Sequence, residues 1–136
     1  MDYSKKHEIS VYLTEEQLNQ RIAEIGAQIT ERFKGESVYL VCILKGSIFF
    51  TTELAKRIAL PMTIDFISAS SYGAQTHSSG VVNIKKDLEQ SIEGENVIVV
   101  EDIGFVIPDK FVVGFGLDYD QRYRNLPYIG FVEDAD

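Results

Sequence analysis

Two carboxylates stand side by side where an apolar stretch stops, in Val97-Ile98-Val99-Val100-Glu101-Asp102. Side chains alternate across a strand, so adjacent acids at its end can face different partners, one a ribose diol and the other a hydrated Mg²⁺. A solvated strand end has the same composition. A second stretch, Leu44-Lys45-Gly46-Ser47, follows another apolar run and precedes a helical pattern. Backbone N–H groups, a helix dipole and the Lys45 ammonium would converge there on an anion such as pyrophosphate; alternatively it is a Gly-Ser cap with a surface lysine. In Ser70-Ser71-Tyr72-Gly73 a tyrosine flanked by small residues opens a polar segment. That suits a loop that swings over a ligand and excludes water, and equally an exposed loop without a role. Ile107-Pro108-Asp109-Lys110-Phe111-Val112-Val113-Gly114 sets an aromatic ring beside the backbone of a constrained turn, with Asp118, Arg122 and Arg124 following. Such an arrangement would stack and hydrogen-bond a flat heterocycle; a core phenylalanine beside a surface ion-pair cluster is the other reading. His7 and His77 lack ligand-like spacing and read as solvated, while Cys42, inside VYLVCIL, reads as an inert core thiol.

These residues need elements to hold them. Thr14-Glu15-Glu16-Gln17 is a capping box ahead of Leu18, Ile22, Ile25 and Ile29, with Gly35 as the stop, which predicts an amphipathic helix. Val38 to Leu44 predicts a buried strand, Ile48 to Ile58 a second helix ended before Pro61, and Met62 to Ser68 another strand. Ala69 to Gly80 reads as a polar loop without periodicity. Val81 to Leu88 and Asn96 to Ile103 read as further strands, and short strands and turns run from Gly104 to the end. Strands alternating with helices predict an α/β sheet with its ligands beyond the carboxyl ends of the strands.

With 136 residues, 45% of them hydrophobic, the chain has material for one core, so we expect a single domain over 1–136. A net charge of −8 argues against general nucleic-acid binding, which needs a positive surface. No stretch approaches the ~20 apolar residues of a membrane span. The charged amino terminus does not read as a signal peptide, so a cytoplasmic protein is expected.

Taken in order, LKGS, SSYG, VVEDI and IPDKFVVGFGLDYDQRYRNLPYIG resemble the 6-oxopurine phosphoribosyltransferases, specifically the bacterial-type hypoxanthine (hypoxanthine-guanine) branch, over nearly the whole chain. The resemblance implies a type I phosphoribosyltransferase-like parallel sheet flanked by helices. It also implies transfer of a 5-phosphoribosyl group from phosphoribosyl pyrophosphate (PRPP) to hypoxanthine or guanine in purine salvage, Mg²⁺ as cofactor, and a homodimer or homotetramer. It puts Lys45, Gly46 and Arg124 at the pyrophosphate and Ser71 and Tyr72 on a closing loop. Glu101 and Asp102 would hold the ribose hydroxyls and the metal shell, and Asp118 would approach Mg²⁺. Lys110, Phe111 and Val112 would form the purine site, the ring stacking and the Val112 backbone reading the base edge.

One departure accompanies the match. In that family the acidic pair leads into a loop at a helix start that cradles the 5′-phosphate. Here Ile103 is followed directly by Gly104-Phe105-Val106-Ile107-Pro108, a stretch that lies well downstream in the family. A strand-helix block of about 30 residues or more is missing. With it go the phosphate cradle, an aspartate proposed to assist proton transfer at the purine, and the lysine that recognises the 6-oxo group. Severe loss of activity is expected, and so is apolar sheet surface that favours association. A non-catalytic relative acting by ligand binding or subunit association is the alternative.

Overall fold

The computed structural model describes residues 7–71, 82–101 and 111–133. After a first strand, β1 (Ile9–Leu13), comes α1 (Glu15–Arg32). Thr14 caps this helix as its sequence predicts: its hydroxyl accepts from the Gln17 N–H at 3.2 Å, and the Gln17 side chain accepts from the Thr14 N–H at 2.9 Å. Leu18 and Ile22 are buried, Ile25 and Ile29 pack at the margin of the core, and Gly35, at φ 83°, turns the chain beyond the helix end. Each fully buried aliphatic side chain of this kind is worth about 1.5–3 kcal/mol.

The chain then forms β2 (Val38–Leu44), α2 (Ile48–Ala55), β3 (Met62–Ser71), β4 (Val82–Lys86) and β5 (Val97–Val100). β2 lies between β3 and β5, parallel to both, and β4 adds antiparallel to β3. The expected parallel sheet is therefore present as the centre of a mixed four-stranded sheet. β3 runs on to Ser71, past the Ser68 limit that its apolar residues suggest, because β4 pairs with it as far as Ser71 opposite Val82. α2 stops at Ala55, earlier than its periodicity implies. A second sheet, order β1-β7-β6, is antiparallel and uses β6 (Val112–Val113) and β7 (Ile129–Val132). One apolar cluster joins the two sheets, with Leu40, Phe50, Leu54 and Val100 continuous with Leu13, Phe115 and Ile129. Cys42 is buried, as expected of a core thiol. Among the described residues no helix is long and apolar enough to cross a membrane.

A buried carboxylate fixes the base of the β3–β4 hairpin. Asp65, 3% exposed, accepts from the Tyr39 hydroxyl at 2.5 Å, from the Glu89 N–H at 2.8 Å and from the Phe66 N–H at 2.8 Å, with the Lys86 ammonium 3.8 Å away. The Tyr39 hydrogen bond, then the backbone donors and Lys86, hold this carboxyl below the usual range against the opposing effect of burial. The same hydrogen bond, with burial, pushes the Tyr39 phenol up to about 12. A depressed carboxyl stabilises the fold above its unfolded pKa, and the contribution is lost as pH falls through the folded value; a raised phenol does the reverse at alkaline pH. Asp65→Asn is accordingly expected to lower Tm at neutral pH and to flatten the acid limb below about pH 4. A series of Tm values against pH checks this, and an acid limb as steep as in the parent would refute it.

Candidate functional site

The carboxyl ends of β2 and β5 lie side by side, and the first turn of α2 rises between them. β2 pairs with β5 as far as Cys42 opposite Val100, so Lys45-Gly46 and Glu101 leave the sheet from neighbouring strands. Ser47 locks this corner. Its hydroxyl proton is shared between the carbonyl oxygens of Ile43 at 2.7 Å and Val100 at 2.8 Å, and the side chain is 1% exposed. A capping serine would bond its own helix, but Ser47 makes no side-chain cap and ties two strand ends together instead. The Leu44–Lys45 peptide bond is cis. Lys45 is exposed, and the first turn of α2 carries no acidic residue, so an anion at the helix start would meet the Lys45 ammonium and the positive end of the helix.

The loop after β6 closes over this corner. Gly116, at φ 96°, packs so near the turn that a Cβ added to it would lie 2.5 Å from the Gly46 carbonyl oxygen. The Gly116 carbonyl accepts from Arg124 Nη1 at 2.6 Å, and its N–H donates to the Arg124 carbonyl at 2.8 Å. Arg124 Nη2 stands 3.3 Å from Asp118 Oδ1, both side chains about three-quarters buried, and Asp118 Oδ2 accepts from the Gln121 N–H at 2.8 Å. Lys45, Gly46, Arg124 and Asp118, far apart in sequence, thus share one corner of the structure.

Phe111 and Val112 come from the edge of the smaller sheet. The Phe111 carbonyl accepts from the Val132 N–H at 3.0 Å, and Val112 is opposite Phe131. Antiparallel strands alternate bonded and non-bonded pairs, so Val112 turns its own N–H and C=O away from β7. Among the described residues β6 ends its sheet, and none of them pairs with these groups. The Phe111 ring is 56% exposed, not a core phenylalanine. Its nearly perpendicular neighbour is Tyr119, centroids 5.4 Å apart, and Tyr119 adjoins Asp118 in the chain.

Of the remaining candidates, Ser71 closes β3, whereas Tyr72, Asp102, Lys110, Asp109 and His77 lie outside the described residues, as does most of the polar loop. His7 is no isolated surface histidine. Its ring meets Tyr119 edge-on at 4.8 Å and its backbone N–H donates to the Tyr123 hydroxyl at 3.1 Å. Sequence reasoning also missed Gly116 and the interstrand role of Ser47. The Gly114-Phe115-Gly116 repeat was the available signal for a close backbone approach. Among the described residues no three acidic, imidazole or thiol groups converge on a point. The carboxylates of Glu101, exposed, and Asp118 are nonetheless hard oxygen donors, suited to Mg²⁺ held by one or two side chains plus substrate oxygens and water.

Residues 9–105 match the family model described as the phosphoribosyl transferase domain. The hypoxanthine-guanine phosphoribosyltransferase of Mycobacterium avium is 38% identical to this chain, covering 91% of it and 85% of the relative. The hypoxanthine phosphoribosyltransferase of Salmonella typhimurium is 37% identical over 172 aligned positions, covering 93% of this chain and 97% of the relative. Since 172 positions exceed the 136 residues present by 36, at least that many are filled in the relative alone. A crystal structure of a hypoxanthine-guanine phosphoribosyltransferase from Bacillus anthracis superposes with a TM-score of 0.87 at 35% identity, over 93% of this chain and 99% of that one.

Proposed function

The chain belongs to the phosphoribosyl transferase family, in its hypoxanthine and hypoxanthine-guanine branch, with an internal block missing after Ile103, and from that premise we propose a PRPP-dependent purine site that keeps its binding parts. The substrates are PRPP and hypoxanthine, with guanine as the second base, and the products are IMP or GMP and pyrophosphate. The observation that carries this reading is the corner where Gly116 and Arg124 close on the Lys45-Gly46 turn, next to the end of β5. One domain over 1–136, a cytoplasmic setting and a homodimer or homotetramer complete the proposal.

In the reaction the purine N9 forms a bond to the anomeric carbon while the bond from that carbon to the pyrophosphate oxygen breaks, through an oxocarbenium-like transition state, and the proton on the purine's imidazole ring passes to solvent water. Lys45 and the backbone at Gly46 bind the departing pyrophosphate, and Arg124 offers it the N–H groups not spent on Gly116 and Asp118. Glu101 accepts from the ribose hydroxyls together with Asp102. Phe111 stacks on the base, Val112 reads its edge through those backbone groups, and Ser71 and Tyr72 cover the site. Asp118, Glu101 or Asp102 would hold Mg²⁺ together with the substrate, and the ion would supply positive charge beside the pyrophosphate.

The missing block favours a second reading, in which the chain binds these ligands without useful turnover. Both readings require the anion corner, so calorimetric titration of Mg²⁺-pyrophosphate tests their common part. Lys45→Ala is expected to weaken binding about tenfold, the effect of one charge-assisted contact. Unchanged affinity in the variant, or none in the parent, would overturn the assignment of the corner.

A further inference from the structure

An exposed aromatic ring is a poor platform unless something fixes its tilt, because ordering it on binding costs conformational entropy. Phe111 sits on an edge strand with more than half its surface open. What stands against it is Tyr119, whose plane is turned 83° from its own. A contact so nearly perpendicular leaves at least one face of the phenylalanine open to a flat ligand.

Tyr119 is itself braced at both main chain and ring. Its N–H donates to the Arg122 carbonyl at 3.1 Å and its carbonyl accepts from the Arg122 N–H at 3.0 Å, closing a turn through Asp120 and Gln121, both at positive φ. On another side the His7 ring meets it at 4.8 Å and 75°, and His7 is anchored through its backbone N–H to the Tyr123 hydroxyl. The same turn carries Asp118, which pairs with Arg124 at the anion corner. One hydrogen-bonded turn therefore contacts Phe111 at Tyr119 and Arg124 at Asp118.

We infer that Tyr119, backed by His7 from the segment preceding β1, is a positioning residue that sets the angle of the Phe111 platform and so tunes affinity for the base and not for the anion. This rests on the reading of Phe111 as the base platform. A purely structural role for Tyr119 would loosen the turn and weaken both ligands together; a positioning role separates them.

The test is calorimetry with two probes, hypoxanthine in the presence of saturating Mg²⁺-pyrophosphate, and Mg²⁺-pyrophosphate alone, on the whole chain. Tyr119→Leu is expected to weaken hypoxanthine roughly fivefold to tenfold, the scale of a lost aromatic contact, and to leave pyrophosphate within about twofold. His7→Ala should shift hypoxanthine in the same direction by less. If Phe111→Ala abolishes hypoxanthine binding while Tyr119→Leu leaves it unchanged, or if Tyr119→Leu weakens both probes equally, the positioning role is overturned. If Phe111→Ala itself has no effect on hypoxanthine, the platform reading beneath it fails instead.

Discussion

Inserting between Ile103 and Gly104 the block carried by the Salmonella typhimurium relative is expected to raise IMP formation from hypoxanthine and PRPP by about a thousandfold or more over the 136-residue chain. On the proposed reading the corner at Lys45 and the edge at Phe111 are kept and would still bind the two ends of the reaction, leaving group and nucleophile. What the family places in the missing block is the cradle for the 5′-phosphate, the handle that holds the anomeric carbon between them. Charge-assisted hydrogen bonds are worth about 1.5–3 kcal/mol each, and two of them misplaced in the transition state already amount to roughly 4 kcal/mol, about a factor of a thousand in rate. Among the described residues the structure also offers an edge that the graft would cover. β5 ends its sheet among the described residues, and beside it Ile25, Ile29, Phe50, Leu54 and Ile98 line an open apolar groove of about 250 Å³. Covering that edge should raise Tm in the grafted chain as well. The measurement is a steady-state IMP assay on both chains, with intact-mass confirmation of 15.3 kDa for the parent. Comparable turnover in the two would show that the cradle is dispensable.

Much of this arrangement is legible in the residues, and what escapes has a physical reason. The capping box at Thr14, the apolar run of β2 and the glycine stop at Gly35 are local signals, and local signals survive folding. The three strands of the smaller sheet are harder. β1 and β7 pair across more than a hundred residues, Ile9 with Val132, and each is too short and too mixed to announce a partner. Ser47 shows the same limit. Its neighbours predict a helix cap, but besides the Ile43 carbonyl it reaches that of Val100, and no spacing in the sequence encodes that distance. The β3 extension to Ser71 is likewise decided by β4 and not by β3's own composition. At the site, residue types left Lys45, Gly46, Phe111, Asp118 and Arg124 open between binding roles and an ordinary cap or ion-pair cluster, and the family resemblance is what singled them out. That Arg124 braces Gly116 while it faces the corner, and that Phe111 leans on Tyr119, are tertiary facts.

Gly116 is where the fold and the proposed anion corner depend on the same residue. Its φ of 96° suits glycine, and the Cβ of an alanine would stand 2.5 Å from the Gly46 carbonyl oxygen and 3.3 Å from the Gly46 carbonyl carbon. The obstruction is backbone on both sides, so no side-chain rotation relieves it. The loop has to back away from the turn, and the retreat would disturb the Arg124 guanidinium, held at 2.6 Å to the Gly116 carbonyl, and with it the pairing to Asp118. Gly116→Ala is therefore expected to destabilise the chain by about 2–4 kcal/mol, combining the positive φ with the displaced packing, and to weaken Mg²⁺-pyrophosphate at least about tenfold. Gly94 supplies the control. It too has a positive φ, 79°, but its added Cβ meets nothing within 4 Å. Gly94→Ala should cost only about 1–2 kcal/mol of backbone strain and leave pyrophosphate affinity unchanged. Thermal melts and calorimetric titration of the two variants separate the contributions: backbone conformation alone lowers Tm in both, and only the contact with Gly46 links that loss to the anion. Equal pyrophosphate affinity in Gly116→Ala and Gly94→Ala would mean that the loop after β6 does not shape the corner it covers.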